Sequence, residues 1–232
     1  MKNITSLINS NRIYFTGTTA MLVAGLIFFL IQGRAAAFFP LDAFHPFWLN
    51  VFFINYTFMG DGFFALSLIA ILHFYYGKKQ QAYTLLSSFI ISGSVVQVIK
   101  NLANASLPKF YFEAGTYLQF TDGITLSADS GLISAHTATA FAIATVMALM
   151  IKNKKMQLLI VAAAALVGYS RIYLAGHFLM DVITGAAIGT VSGLTAVYLA
   201  AYKPGLKRSF TKLQSIGEKT AQTPADIHTA TG

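Results

Sequence analysis

Between residues 170 and 181 the chain reads Ser170-Arg171-Ile172-Tyr173-Leu174-Ala175-Gly176-His177-Phe178-Leu179-Met180-Asp181. A guanidinium, an imidazole and a carboxylate in so apolar a stretch need a reason. His177 and Asp181 are four residues apart, so on a helix they would share a face. A carboxylate there takes the proton of one imidazole nitrogen, fixes the tautomer and frees the other nitrogen for attack. Arg171 offers a planar fork of donors suited to phosphate oxygens. His136 and Lys100 add a second imidazole and a second cation. Such a set suits phosphoryl transfer, which depends mainly on positioning and on stabilising charge on the equatorial oxygens.

The elements that must position these groups are hydrophobic. Of 232 residues, 56% are hydrophobic and 10% charged, against about 25% charged in a soluble domain. Mean hydropathy is +0.63. This composition excludes a soluble globular protein and predicts an integral membrane one. A membrane helix needs about 20 mostly apolar residues. Six segments meet or approach that length: roughly 13–33, 61–77, 82–100, 136–151, 156–174 and 179–201. The first, followed by Ala35-Ala36-Ala37, is longer than the apolar part of a signal peptide and reads as an uncleaved anchor. The expectation is all-α: a six-transmembrane-helix bundle over residues 1–202, then a flexible basic tail over 203–232 that lacks the apolar content to fold alone.

Charge gives the orientation. With six spans, the amino terminus, the links at 78–79 and 152–155 and the tail lie on one side, and that side holds 12 of the 16 Lys and Arg. The positive-inside rule makes it cytoplasmic, with both termini inside. The net charge of +8 is then a topology signal rather than a nucleic-acid footprint. Six of the eight acids, Asp42, Asp61, Glu113, Asp122, Asp129 and Asp181, fall on or near the other side. So do Arg34, Lys100, Lys109 and Arg171, along with the long loop 101–135. Ionisable groups at the ends of apolar helices are costly and are functional candidates by default. Segment 35–60, rich in Phe and holding Trp48, reads as an outer loop and an interfacial helix, either a plain aromatic belt or a wall along which a lipid travels. Asp61, between Gly60 and Gly62, reads as a helix N-cap, and His73 as packing inside the second span. His45 has no evident partner. The absence of cysteine removes disulfides, thiolate nucleophiles and cysteine metal sites.

The spacing of Ser170, Arg171, His177 and Asp181 matches the SRxxxxxHxxxD motif of the type 2 phosphatidic acid phosphatase superfamily, which the chain resembles over roughly residues 60–200. Ser134-Ala135-His136-Thr137 resembles that family's PSGHT motif, and Lys100 followed by Pro108 its KxxxxxxRP motif. The resemblance implies catalytic roles for three residues. His177 would be the nucleophile that forms a phosphohistidine. Asp181 would orient and charge-stabilise it. His136 would be the acid for the leaving alcohol and then the base for water. Lys100, Ser134 and Arg171 would hold phosphoryl oxygens, with backbone N–H groups near Ala135. No metal and no cofactor is implied. Leu107 stands where the family motif has Arg, so one phosphate ligand is missing; Lys109 would replace it only if the loop bends differently. Ile133 and Ala135 stand where the family has Pro and Gly, and Ala narrows the backbone angles available beside the phosphate.

The resulting expectation is a bacterial inner-membrane lipid phosphatase whose site faces the periplasm. Its partners would be membrane lipids and a lipid phosphate substrate: phosphatidic acid, phosphatidylglycerophosphate, undecaprenyl diphosphate or lipid A in type. Two other readings stand beside it. Leu107 keeps open a catalytically impaired protein of the same fold that binds or translocates lipid. His136, His177 and Asp181 are also residue types that a metal-dependent hydrolase would use as ligands.

Overall fold

The computed structural model describes residues 4–41, 44–102, 133–151 and 153–202. Leu107, Pro108, Lys109, Glu113, Asp122, Asp129 and the tail from 203 lie outside them, as does Asp42.

The described residues form helices and their connections. In chain order they are α1 (Ile4–Ser10), α2 (Arg12–Phe38), α3 (Phe47–Tyr56), α4 (Gly62–Ala70), α5 (Lys79–Leu102), α6 (Ala135–Met150), α7 (Lys154–Tyr173) and α8 (Leu179–Tyr202). Several starts carry a side-chain cap. Asp61 accepts from the Phe63 N–H at 2.7 Å, Ser134 from that of Thr137 at 3.2 Å, and Asn153 from those of Lys155 and Met156. Each satisfies donors that a helix start leaves without an intrahelical partner. Helix α2 is broken at Gly33, whose φ of 75° lies in the left-handed region that glycine tolerates.

Helix α6 is the hub. Twelve of its sixteen residues are buried, and it packs against α5, α7 and α8. Its many Ala and Thr residues allow this, because small side chains let neighbouring backbones approach. Gly185, Gly189 and Gly193 of α8 lie against it. A Cβ on Gly189 would collide with the Ala138 carbonyl oxygen, and one on Gly193 would come within 2.5 Å of the Thr145 Cβ. Buried polar contacts add cross-links: Tyr14 with Thr145 at 2.8 Å, and the Ser88 hydroxyl donating to the Ala142 carbonyl at 3.2 Å. Gln157 donates to Asn11 and to the Ile151 carbonyl at the end where α2 and α7 begin.

The outside of the bundle is apolar. Ile27, Leu30, Ile31, Ile90, Val98, Leu159, Val191 and Leu199 are all exposed. A surface of this kind is matched to hydrocarbon rather than water. Among the described residues four helices are long and apolar enough to cross a membrane: Arg12–Arg34, Lys79–Leu102, Lys154–Tyr173 and Leu179–Ala201. The expected span at 61–77 is instead half of a pair. Phe47–Gly60 and Gly62–Tyr75 meet at 58°, and count as a fifth span if taken as one. The expected span at 136–151 is α6, too short at 16 residues to qualify by length.

Within the aromatic segment, Phe47–Tyr56 form helix α3. Phe47 and Trp48 are exposed, while Phe53 is buried against Tyr169 and Tyr173. His45 does have partners: its ring stacks on Tyr173 with centroids 4.2 Å apart, and Nδ1 lies 3.2 Å from Oδ1 of Asn50. His73 packs edge-on to Phe74 and Tyr83.

Candidate active site

The end of α7, the start of α8, the start of α6 and the turn before α4 converge at one end of the bundle. The link from Arg171 to His177 is a helix stop. The Gly176 and His177 N–H groups both donate to the Arg171 carbonyl, at 3.0 and 3.1 Å, and the Ala175 N–H donates to that of Ile172 at 2.9 Å. This is a Schellman-type closure, but its left-handed residue is Ala175, with φ 51°. An L-residue there costs about 1–2 kcal/mol. The closure holds the His177 backbone directly against that of Arg171.

His177 and Asp181 meet, though not as neighbours on one helical face. Helix α8 starts at Leu179, so His177 lies before it. Asp181, in the first turn, reaches back and accepts from the Phe178 N–H at 2.9 Å, as the acidic member of a capping box does. That cap turns its carboxylate toward His177, with Oδ2 3.7 Å from Nδ1. Both side chains are only 7% exposed. Nδ1 has no hydrogen-bond partner at this separation, and such contacts commonly tighten when substrate binds. A carboxylate facing Nδ1 favours the proton there and leaves the Nε2 lone pair free. Burial pushes the His177 imidazole below its usual value; Asp181 opposes this, while Arg171 and Lys100 add to it.

His136 is the second residue of α6 and is more open, its side chain 31% exposed. Ser134 before it is fully buried. Its hydroxyl oxygen accepts from the N–H and the hydroxyl of Thr137, and its own N–H donates to the Asp181 carbonyl at 3.2 Å. The starts of α6 and α8 are thus joined through their backbones. Arg171 and Lys100 lie within electrostatic reach of both histidines. Arg171 donates from Nη1 to the Thr57 hydroxyl at 3.2 Å, while its buried Nε has no partner. Arg34 places its guanidinium 4.2 Å above the ring of Phe178, beside His177. Among the described residues no three His, Asp or Glu side chains are grouped as a metal ion would need.

The structure therefore brings together His136, His177, Asp181, Arg171, Ser134 and Lys100 from three separate stretches of sequence. It adds two side chains. Thr57 carried no sequence signal. Asp61, expected as a cap, is one, and its Oδ2 also lies 3.7 Å from Nε2 of His136. One turn deeper, between α4, α6 and α7, is an apolar cavity of about 190 Å³ lined by Met59, Phe64, Ala140, Ile143, Ala163 and Val167, among others.

Comparison with known proteins identifies a family and a shared fold. The family model of the PAP2 superfamily matches residues 81–204. A lipid A 4'-phosphatase of Porphyromonas gingivalis is 31% identical over 144 residues, 57% of this chain and 60% of that protein. The crystal structure of Aquifex aeolicus LpxE superposes with a TM-score of 0.63 at 26% identity, over 71% of this chain and 94% of that one. A PAP2-type phosphatidylglycerolphosphate phosphatase from Bacillus subtilis shares the fold, with a TM-score of 0.59 at 22% identity over 81% of this chain and 98% of that one.

Proposed function

Because the chain belongs to the PAP2 superfamily, we propose that it is a membrane lipid phosphatase that acts through a phosphohistidine. Nε2 of His177 attacks phosphorus and the bond to the leaving oxygen breaks. His136 gives that oxygen a proton, then takes one from the water that cleaves the N–P bond and frees inorganic phosphate. Asp181 holds the His177 tautomer and stabilises its positive charge. Arg171, Lys100, Ser134 and the free N–H groups at the start of α6 hold the phosphoryl oxygens, with Lys109 a further candidate. The observation that carries this reading is the unfilled hydrogen-bonding capacity at its centre: buried Nε of Arg171 and Nδ1 of His177 lack partners where a phosphate and a tightened Asp181 would supply them.

In this reading all six helical segments cross the membrane, with α6 shielded from lipid by its neighbours. The basic residues Arg12, Lys78, Lys79, Lys154 and Lys155 lie at helix ends opposite the site. The site then faces the periplasm of a bacterial inner membrane and both termini are cytoplasmic. The substrate is a lipid phosphate monoester or diphosphate. The relative named as a lipid A 4'-phosphatase favours a glycolipid phosphate, and the apolar cavity under His136 would take part of an acyl chain.

The test is phosphate release by detergent-purified protein from a panel of lipid phosphates in EDTA, beside His177→Ala. Release that survives EDTA and is lost in the variant is expected, a fall of at least about 10³-fold for loss of a nucleophile. Release that EDTA abolishes would point to a metal hydrolase. No release from any lipid by folded protein would favour lipid binding or translocation.

A further inference from the structure

Asp61 does more in this structure than cap a helix. Its Oδ1 accepts from the Phe63 N–H at 2.7 Å, which leaves Oδ2 to face Nε2 of His136 at 3.7 Å. Steric fit locks the turn in that place. A Cβ on Gly60 would lie 2.7 Å from the His136 carbonyl oxygen and 2.9 Å from its Cβ, so the turn abuts His136 with no room for a side chain. Just before it, the Thr57 hydroxyl accepts from Arg171. Residues 57–61 thus touch both the proposed acid and the proposed phosphate fork.

The charges that face His136 come from four elements: Asp61 from this turn, Arg171 from α7, His177 from the loop before α8, and Lys100 from α5. Arg171 and Lys100 repel an imidazolium. Among the described residues Asp61 is the anion that attracts one. A general acid needs its proton when substrate arrives, and in a cluster of cations it would lose it.

We propose that Asp61 is the positioning and charge partner of His136, holding the imidazole beside the leaving oxygen and favouring its protonated form against the surrounding cations. The inference rests on the phosphatase reading above. Asp61 itself neither gains nor loses a proton. As the N–P bond to His177 forms and the P–O bond breaks, the His136 proton moves to the departing alkoxide and leaves a neutral imidazole. That neutral ring then accepts the proton of the attacking water and becomes the imidazolium that Asp61 again stabilises.

Asp61→Asn tests this, because Asn caps a helix as well as Asp does but carries no charge. Two phosphate monoesters are compared by kcat/KM, which reports only steps up to departure of the first product. One is a long-chain alkyl phosphate, whose alkoxide cannot leave without a proton. The other is a long-chain nitrophenyl phosphate, whose phenolate can. The expected result is a fall of about tenfold to a hundredfold for the alkyl ester, within the range that general acid catalysis supplies. The aryl ester should lose at least ten times less, and the alkaline limb of the alkyl profile should move to lower pH. An equal loss on both esters, or no loss on either, would overturn the proposal and leave Asp61 as a cap. Wild-type turnover that vanishes in His177→Ala separates this outcome from failure of the phosphatase reading; no wild-type turnover would remove both.

Discussion

His177 shows how one side chain can be tuned by the ends of two helices. The closure of α7 fixes its backbone, the cap of α8 supplies its carboxylate, and enclosure lowers its proton affinity. Burial is the largest influence on that ring and drives it below the usual imidazole value of 6.5. The sign of the pH dependence follows. Between the depressed value and 6.5 the unfolded chain binds a proton that the folded chain refuses. The contribution to stability is therefore complete above 6.5 and is lost as pH falls through that interval. An NMR titration of ¹³C-labelled histidine, with His177 assigned by its absence in His177→Ala, should give a midpoint below 6.5. A midpoint at or above that value would mean that Asp181 outweighs burial.

At the scale of elements, the α6–α8 contact sets the distance between the histidines. Gly189→Ala would push its Cβ into the Ala138 carbonyl oxygen. Overpacking of this kind costs about 1–3 kcal/mol, or about 2–4 °C in unfolding midpoint per kcal/mol for a chain of this size. Phosphatase activity should fall with it, since the α8 start carries Asp181. Gly93→Ala in α5, where a new Cβ would meet nothing within 4 Å, should be neutral or gain up to about 1 kcal/mol from helix propensity. Thermal unfolding of both variants in detergent checks the contrast; equal midpoints would mean that α8 can shift without cost. Much of this site was legible beforehand, because charged and polar groups stand out in an apolar chain. His136, His177, Asp181 and Arg171 could be picked out by type and spacing. What the spacing concealed was how they meet. His177 and Asp181 are four apart, yet a capping turn joins them rather than a helical face. Thr57 could not be found, since a lone threonine in an aromatic segment has many uses. Asp61 was visible only as a cap, because its nearness to His136 depends on Gly60 being bare.

At the scale of the whole molecule, apolar runs located the helices well and their membrane lengths less well. Length is a sound guide for a helix that meets lipid, such as α2 or α5. Helix α6, walled in by protein, falls short of that length, and α3 and α4 reach it only when taken together across a 58° bend. The burial of α6 also bears on how the chain is made. At 1.5 Å per residue its 16 residues extend about 24 Å, short of the roughly 30 Å of hydrocarbon. As a solitary segment leaving the ribosome it is a poor candidate for insertion. Only residues 151–153 separate it from α7, so the two should enter the bilayer together as a hairpin. The glycine face that receives α6 belongs to α8, which is synthesised afterwards. A chain stopped at Tyr173, carrying a topology reporter, should therefore integrate α6 less completely than one that continues through Tyr202; equal integration would show that α6 needs no receiving helix. Biogenesis and catalysis thus meet at one step: until α8 arrives, one histidine lacks its seat and the other lacks the carboxylate of Asp181.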